Sequence, residues 1–243
     1  MARHRRLFLG LALSALVGLM GNPAQAGSIS LSVDLNGVVI FTATSSAPDQ
    51  SVSAVLTAVN TALGSHGSAY RFTGLSAQSN YTGSSFGSLQ TTFQLNTSGA
   101  GTTAAVLSID TTQSGFLSPV GPGGTLVSTA GGSFNSATGS LSYTSDFQGA
   151  NSPTLVFPVS GTNSYSGTTG LLPIGTIPSG YELSNHFLIS LTKSPSAFLG
   201  GTGGVVVTNT IPEPSSIVTL MMGMPLPLGL VFGLIRRRRL AGA

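Results

Sequence analysis

Apolar side chains recur at every second position in segment after segment of this chain, and no other feature restricts its fold as tightly. Ile29, Leu31, Val33 and Leu35 alternate with polar residues, as do Leu89, Thr91, Phe93 and Leu95, then Ala105, Leu107 and Ile109, then Phe187, Ile189 and Leu191. Shorter runs of the same kind occur at Tyr70 and Phe72, Leu141 and Tyr143, Leu155 and Phe157, and Val205 and Val207. Period two belongs to strands with one face buried and the other wet. Clusters of Gly, Pro, Ser and Asn divide the runs, at Ser98 to Thr103, Pro119 to Gly124 and Gly161 to Gly170. Strands separated in this way predict a mainly all-β fold, a single β-sandwich, and the lack of a fixed repeat period argues against a solenoid.

Local signals sharpen the reading at three places. Asn36-Gly37 supplies the positive φ angles of a two-residue hairpin turn, which predicts Leu35 opposite Val38 and Val33 opposite Ile40, all on one face. Next, Val52, Val55, Leu56, Val59 and Leu63 fall at helical spacing. One amphipathic helix is expected there, with Ser46 as cap, Pro48 and Asp49 in the first turn and Gly64 as its stop. Gly200 to Thr210 reads as a last strand, a stalk, or part of each. The chain has no cysteine, so neither disulfides nor thiolate metal sites are available to it.

Both ends depart from this pattern. Arg3, Arg5 and Arg6 precede an apolar run from Leu7 to Met20, and Ala24-Gln25-Ala26 follows. At roughly 14 residues the run is shorter than the ~20 that span a bilayer, and residues 1–26 read as a signal peptide cut after Ala26, with Ala24 and Ala26 as its small residues. His4-Arg5-Arg6-Leu7-Phe8-Leu9 also resembles a twin-arginine export signal, whereas the Leu-rich core suits ordinary unfolded export. At the other end, residues 217–235 carry no charge and would measure about 28 Å as a helix, close to the hydrocarbon thickness. Arg236, Arg237, Arg238 and Arg239 follow at once, which by the positive-inside rule predicts a membrane span with residues 27–210 on the outer side.

Ile211-Pro212-Glu213-Pro214-Ser215-Ser216 stands just before that span. Taken together, Pro212, Glu213 and Pro214, one apolar span and the stop-transfer cluster Arg236 to Arg239 resemble a PEP-CTERM sorting domain over residues 211–243. The resemblance implies an exosortase as processing partner, a membrane-anchored stage, and a final place on the outer surface or in the extracellular matrix of a Gram-negative bacterium that exports polysaccharide. It says nothing of the chemistry of residues 27–210. The two prolines would keep the motif extended and open to a protease cleft.

Seven of the nine Lys and Arg residues lie in the terminal segments, so the basic pI of about 9.7 misrepresents the domain between them. Arg71 and Lys193 there face Asp34, Asp49, Asp110, Asp146 and Glu182. Two cations build no phosphate-binding stripe, so nucleic acid is not an expected partner. Catalytic material is sparse: His66 and His186 are the histidines of this region, and neither a Gly-x-Ser-x-Gly elbow nor a His-Glu-x-x-His motif occurs. His66 suits a helix C-terminus, and His186 reads as the exposed start of a strand. Asp110 reads as the end of a strand and Asp34 as the flank of a turn. No metal ligand set and no cofactor motif is present. With the matrix setting that the resemblance implies, the expected function is a structural or interaction role of an exported surface or extracellular-matrix protein. A carbohydrate-binding module is the alternative, with the loop residues Tyr81 and Tyr165 as stacking candidates. A secreted glycan hydrolase comes third; two carboxylates brought together, or a carboxylate beside a histidine, would favour it.

Overall fold

The computed structural model describes residues 27–46, 51–80, 85–97, 105–192 and 196–209. The signal segment with Ala24 and Ala26, Pro48, Asp49, Tyr81, Lys193, the Pro212-Glu213-Pro214 motif, the 217–235 span and Arg236 to Arg239 lie outside them. Among the described residues no helix is long and apolar enough to cross a membrane.

The alternating runs all become strands. Among the described residues the strands are, in chain order, β1 (Ser28–Leu35), β2 (Val38–Ser46), β3 (Ser51–Ser53), β4 (Tyr70–Ser79), β5 (Phe86–Thr97), β6 (Ala105–Phe116), β7 (Gly124–Phe147), β8 (Ala150–Asn151), β9 (Leu155–Thr168), β10 (Leu172–Ile174), β11 (Tyr181–Thr192) and β12 (Phe198–Asn209), and the same residues hold one helix, α1 (Leu56–Ser65). All twelve belong to one sheet, ordered β2-β1-β6-β11-β7-β12-β5-β4-β3, with β8, β9 and β10 also on β7.

The 24-residue strand β7 explains how one sheet makes two layers. Its first half, Gly124 to Asn135, pairs with β12, and its second half, Thr138 to Phe147, pairs with β11. Between the halves the ladder to β9 shifts register, with Ser136 at a φ of 52°, and a bulge of this kind bends a strand. The sheet thus folds over β7 and β9, and the β2-β1-β6-β11 layer faces the β3-β4-β5-β12 layer in a sandwich-like core. Phe93 of β5 meets Phe187 of β11 edge to face at 5.0 Å, although those strands are not neighbours in the sheet. Burial of such rings drives the closure.

A buried polar chain runs through the same core. Tyr143 OH donates to Asn185 Oδ1 at 2.7 Å, Asn185 Nδ2 donates to Leu89 O at 3.1 Å and Thr91 Oγ1 at 3.2 Å, and Thr91 and Thr111 share a hydroxyl bond at 2.5 Å. Each group finds a partner, so its removal from water is compensated.

Several expectations need correction. The helix begins ten residues later than Ser46: that residue ends β2, Val52 is buried in β3 opposite Ala77, and an extended Val55 precedes the first turn without a side-chain cap. The apolar spacing that suggested one helix spans a strand and a helix in succession. Val59 and Leu63 do form the buried stripe of α1, and Asn60 clamps it to β4 through both the N–H and the C=O of Phe72. Gly64 lies within the helix, and Gly67, at a φ of +69°, follows its end. In the first hairpin Leu35 does face Val38, but a bulge between Val33 and Asp34 sets Val33 opposite Phe41 instead of Ile40 and leaves Val38 exposed. Gly161 to Gly170 is mostly the second half of β9, not a separating loop.

Gly200 to Asn209 is strand, and it sits between β5 and β7 in the middle of the sheet. Its glycines have a packing reason. A Cβ on Gly203 would stand 2.4 Å from Phe187 Cζ and 2.5 Å from Tyr143 Cε2, and one on Gly201 would stand 2.1 Å from Tyr165 OH. The aromatic rings of the core lie directly on this bare backbone.

Candidate functional site

Two arrays of polar side chains stand on the outer faces of the sandwich. The first crosses β1, β6 and β11, where register sets Asp34 opposite Ser108 and Asp110 opposite His186. His186 Nδ1 contacts Asp110 Oδ1, and Ser108 Oγ donates to Asp110 Oδ2 at 3.1 Å. The hydrogen bond accepted by Asp110, joined by the charges of Asp110 and Asp34, outweighs burial and holds the imidazole pKa above its ordinary value. Asp34 Oδ1 is screened from solvent without a hydrogen-bond partner. Burial first, and then the charge of Asp110, raises the Asp34 carboxyl above the usual carboxylate range.

Sequence reasoning placed these groups at strand ends, yet Asp110 and His186 both lie mid-strand, in β6 and β11. His186 does point away from Phe187 and Ile189, as the alternation requires. The pair is the imidazole–carboxylate couple of acid–base chemistry. It stands on an open sheet face, with the His186 side chain 45% and the Asp110 side chain 36% exposed. Among the described residues no hydroxyl hydrogen-bonds the other ring nitrogen, and no three His, Asp or Glu side chains gather as a metal site. Asp146 serves a turn instead, accepting from Gly149 N at 2.7 Å. His66 terminates α1 as expected, its N–H donating to Ala62 O.

The second array is a groove of about 350 Å³ on the outside of the other layer. Strand register builds it: Gln78 of β4 opposes Gln90 of β5, Gln90 opposes Gly204 of β12, and Gly204 opposes Thr129 of β7. Phe86, Val206, Ser88 and Asn80 close one end. Asn80 shapes that end, its amide donating to Phe86 O at 2.7 Å and accepting from Ser88 N at 2.5 Å. Among the described residues no ionisable side chain lines the groove. Amide groups offer donors and an acceptor together, a hydroxyl offers both, and Phe86, 40% exposed, adds an apolar surface.

No protein-family model matches the chain, and no curated protein does. Among solved structures it is similar to dimeric latent PorU from Porphyromonas gingivalis, at 10% identity and a TM-score of 0.29, over 43% of this chain and 10% of that one. It is also similar to TmCBM61 in complex with β-1,4-galactotriose, at 9% identity and a TM-score of 0.28, over 56% and 86%. A third is the C-terminal CBM6 of LamC from Zobellia galactanivorans, at 14% identity and a TM-score of 0.23, over 55% and 88%. The chain thus spans a tenth of the length of PorU. Likenesses this slight carry nothing over to this chain.

Of the two tyrosines singled out by sequence, Tyr81 lies outside the described residues and Tyr165 lies in β9, not in a loop. The Tyr165 ring packs against Phe157 at 4.9 Å and Phe134 at 6.4 Å, and its hydroxyl donates to Gly200 O at 3.2 Å. Burial raises its phenol pKa. Register places it in the core-facing row Phe93, Gly201, Gly132, Tyr165, where two successive glycines leave room for its ring. Gln78, Gln90, Thr129 and Gly204 escaped sequence reasoning because no motif marks them. They come from four strands, and register alone assembles them.

Proposed function

We propose that residues 27–210 form a non-enzymatic glycan-binding domain of an exported surface or extracellular-matrix protein, sorted through Pro212-Glu213-Pro214 by an exosortase. The groove carries the binding part of this reading. A concave site with several convergent polar groups, an apolar wall and no charge among its described residues suits a ligand made of hydroxyls and C–H faces. The sorting part rests on the sequence motif, the 217–235 span and Arg236 to Arg239. Binding is tested by incubating the purified chain with polysaccharide from the surface of its native host: retention supports the domain's role, and its absence refutes it. Sorting is tested by the intact mass and C-terminal residue of the protein recovered from that host. A terminus near Glu213 supports processing, and a chain intact through Ala243 refutes it.

A second reading, hydrolysis of a glycan, is favoured by one observation, the Asp34, Asp110 and His186 array. In that case His186→Ala would abolish release of reducing ends from the host polysaccharide. Wild-type protein that releases none removes the reading.

A further inference from the structure

Gly204 breaks the pattern of its own strand. Gly201 and Gly203, on the inner face, are required by rings that occupy the space of a Cβ. Gly204 points outward, where a Cβ would meet only Leu89 O and Thr129 Oγ1, both at an ordinary 3.8 Å. No positive φ explains it, since its backbone conformation is open to any residue. A glycine inside a strand is less stable than alanine there, and such a position often marks the close approach of a ligand or another backbone. Here the missing side chain leaves a notch between Gln90 and Thr129, at the floor of the groove.

The surroundings narrow what the notch accepts. The side chains of Gln78, Gln90 and Thr129 have no hydrogen-bond partner within the described protein, so their donors and acceptors face outward unspent. They lie in one row across the strands, about 14 Å from Gln78 to Thr129 at ~4.8 Å per strand. That step is on the scale of one sugar ring, so an extended polysaccharide laid across the strands meets a polar group at each. Among the described residues a polyanion finds no free counter-charge. Arg71 is the only Lys or Arg among the described residues, and its guanidinium is spent on Ser68 O and Tyr70 O, while Asp34, Asp110, Asp146 and Glu182 leave the domain acidic.

Building on the glycan-binding proposal, we infer that the groove selects a neutral polysaccharide lying perpendicular to β4, β5, β12 and β7, with one sugar ring seated on Gly204 between Gln90 and Thr129. Gly204 is the specificity-determining position, and Gln78 and Gln90 bind hydroxyls on one side of it.

The test uses the full chain in a non-ionic detergent that contains no sugar, and titrates it calorimetrically with galactan, xylan, dextran and a soluble β-glucan, with alginate as the anionic probe. The variants are Gly204→Val, whose added methyls fill the notch on a site open to solvent, and the double variant Gln78→Ala, Gln90→Ala. The expected result is binding of at least one neutral polymer, weakened tenfold or more in each variant, with no binding of alginate and melting temperatures no lower than that of wild type. Undiminished binding in the variants overturns the site while leaving the glycan-binding reading intact. A preference for alginate overturns the ligand class alone. Failure of wild type to bind any of the five polymers while it is retained on the host polysaccharide overturns the inference alone, and failure on the host polysaccharide as well overturns both.

Discussion

Replacing Gly203 with alanine tests whether the core rings truly rest on the β12 backbone. Carbon atoms in good contact lie about 3.5–4.0 Å apart, whereas the new methyl would begin at 2.4 Å from Phe187 Cζ and 2.5 Å from Tyr143 Cε2, an overlap of more than ~1 Å. Neither ring can swing away into solvent, since both are fully buried. Tyr143 is further held by its hydrogen bond to Asn185. Overpacking of this kind costs about 1–3 kcal/mol. A shift of Tyr143 that weakens its hydroxyl bond adds about 1 kcal/mol, and the gain from removing a strand glycine returns about 0.5–1 kcal/mol. The net expectation is a loss of about 1–3.5 kcal/mol, read as a lower urea midpoint with an unchanged slope. Gly204→Ala, one residue on and facing outward, is the internal control and should hold or raise the midpoint. If Gly203→Ala unfolds at the wild-type midpoint or above, the account of why this strand is glycine-rich is wrong.

Asn185→Leu should cost about 2–4 kcal/mol in the same assay, because it leaves Tyr143 OH and Thr91 without their shared partner in a dry core; an unchanged midpoint would show that the polar chain is dispensable. The raised His186 pKa means that protonation favours the folded state. That contribution is complete below the unfolded value near ~6.5 and is lost as pH rises through the higher folded value. The wild-type midpoint should therefore fall relative to His186→Gln between pH 5.5 and pH 8.5, and parallel profiles would refute the pairing with Asp110. Asp34 carries the same sign for a different reason, since its folded carboxyl binds its proton more tightly than the unfolded one. Asp34→Asn should stabilise the protein at pH 7 and make no difference below the unfolded carboxylate pKa, and destabilisation at pH 7 would contradict this.

Where an interaction is local, the sequence carries it plainly. The alternation from Ile29 to Leu35 and from Phe187 to Leu191 names residues that are buried, and Asn36-Gly37 turns as its φ angles of 54° and 80° require. The errors arise where a partner far along the chain decides. Val52 looked helical by spacing, but pairing of β3 with β4 takes it as strand. The Gly200 to Gly204 run looked as much like a stalk as a strand, because the rings that need its bare backbone belong to β5, β7, β9 and β11. Tyr165 looked like a loop residue because Gly161 and Gly170 bracket it. Asp110 and His186 meet only because β6 and β11 adjoin in a particular register, and Gln78, Gln90 and Thr129 are likewise brought together by register alone. Side chains on the wet face of a strand leave no periodic trace beyond being polar, so this sequence could show which residues face water but not which ones gather.

The position of β12 bears on how the chain is made. It is the last of the described strands and yet lies between β5 and β7, hydrogen-bonded to both. Until residue 209 has emerged from the ribosome, or from whatever channel delivers the chain N-terminus first, one ladder of β5 and one of β7 have nothing to pair with. Early strands can form hairpins such as β1–β2, but the layer that holds the groove stays open until synthesis has passed the whole domain. Completion of the sheet is therefore timed by the arrival of the chain's last described strand, and a truncation anywhere before it should leave an unpaired seam rather than a smaller domain.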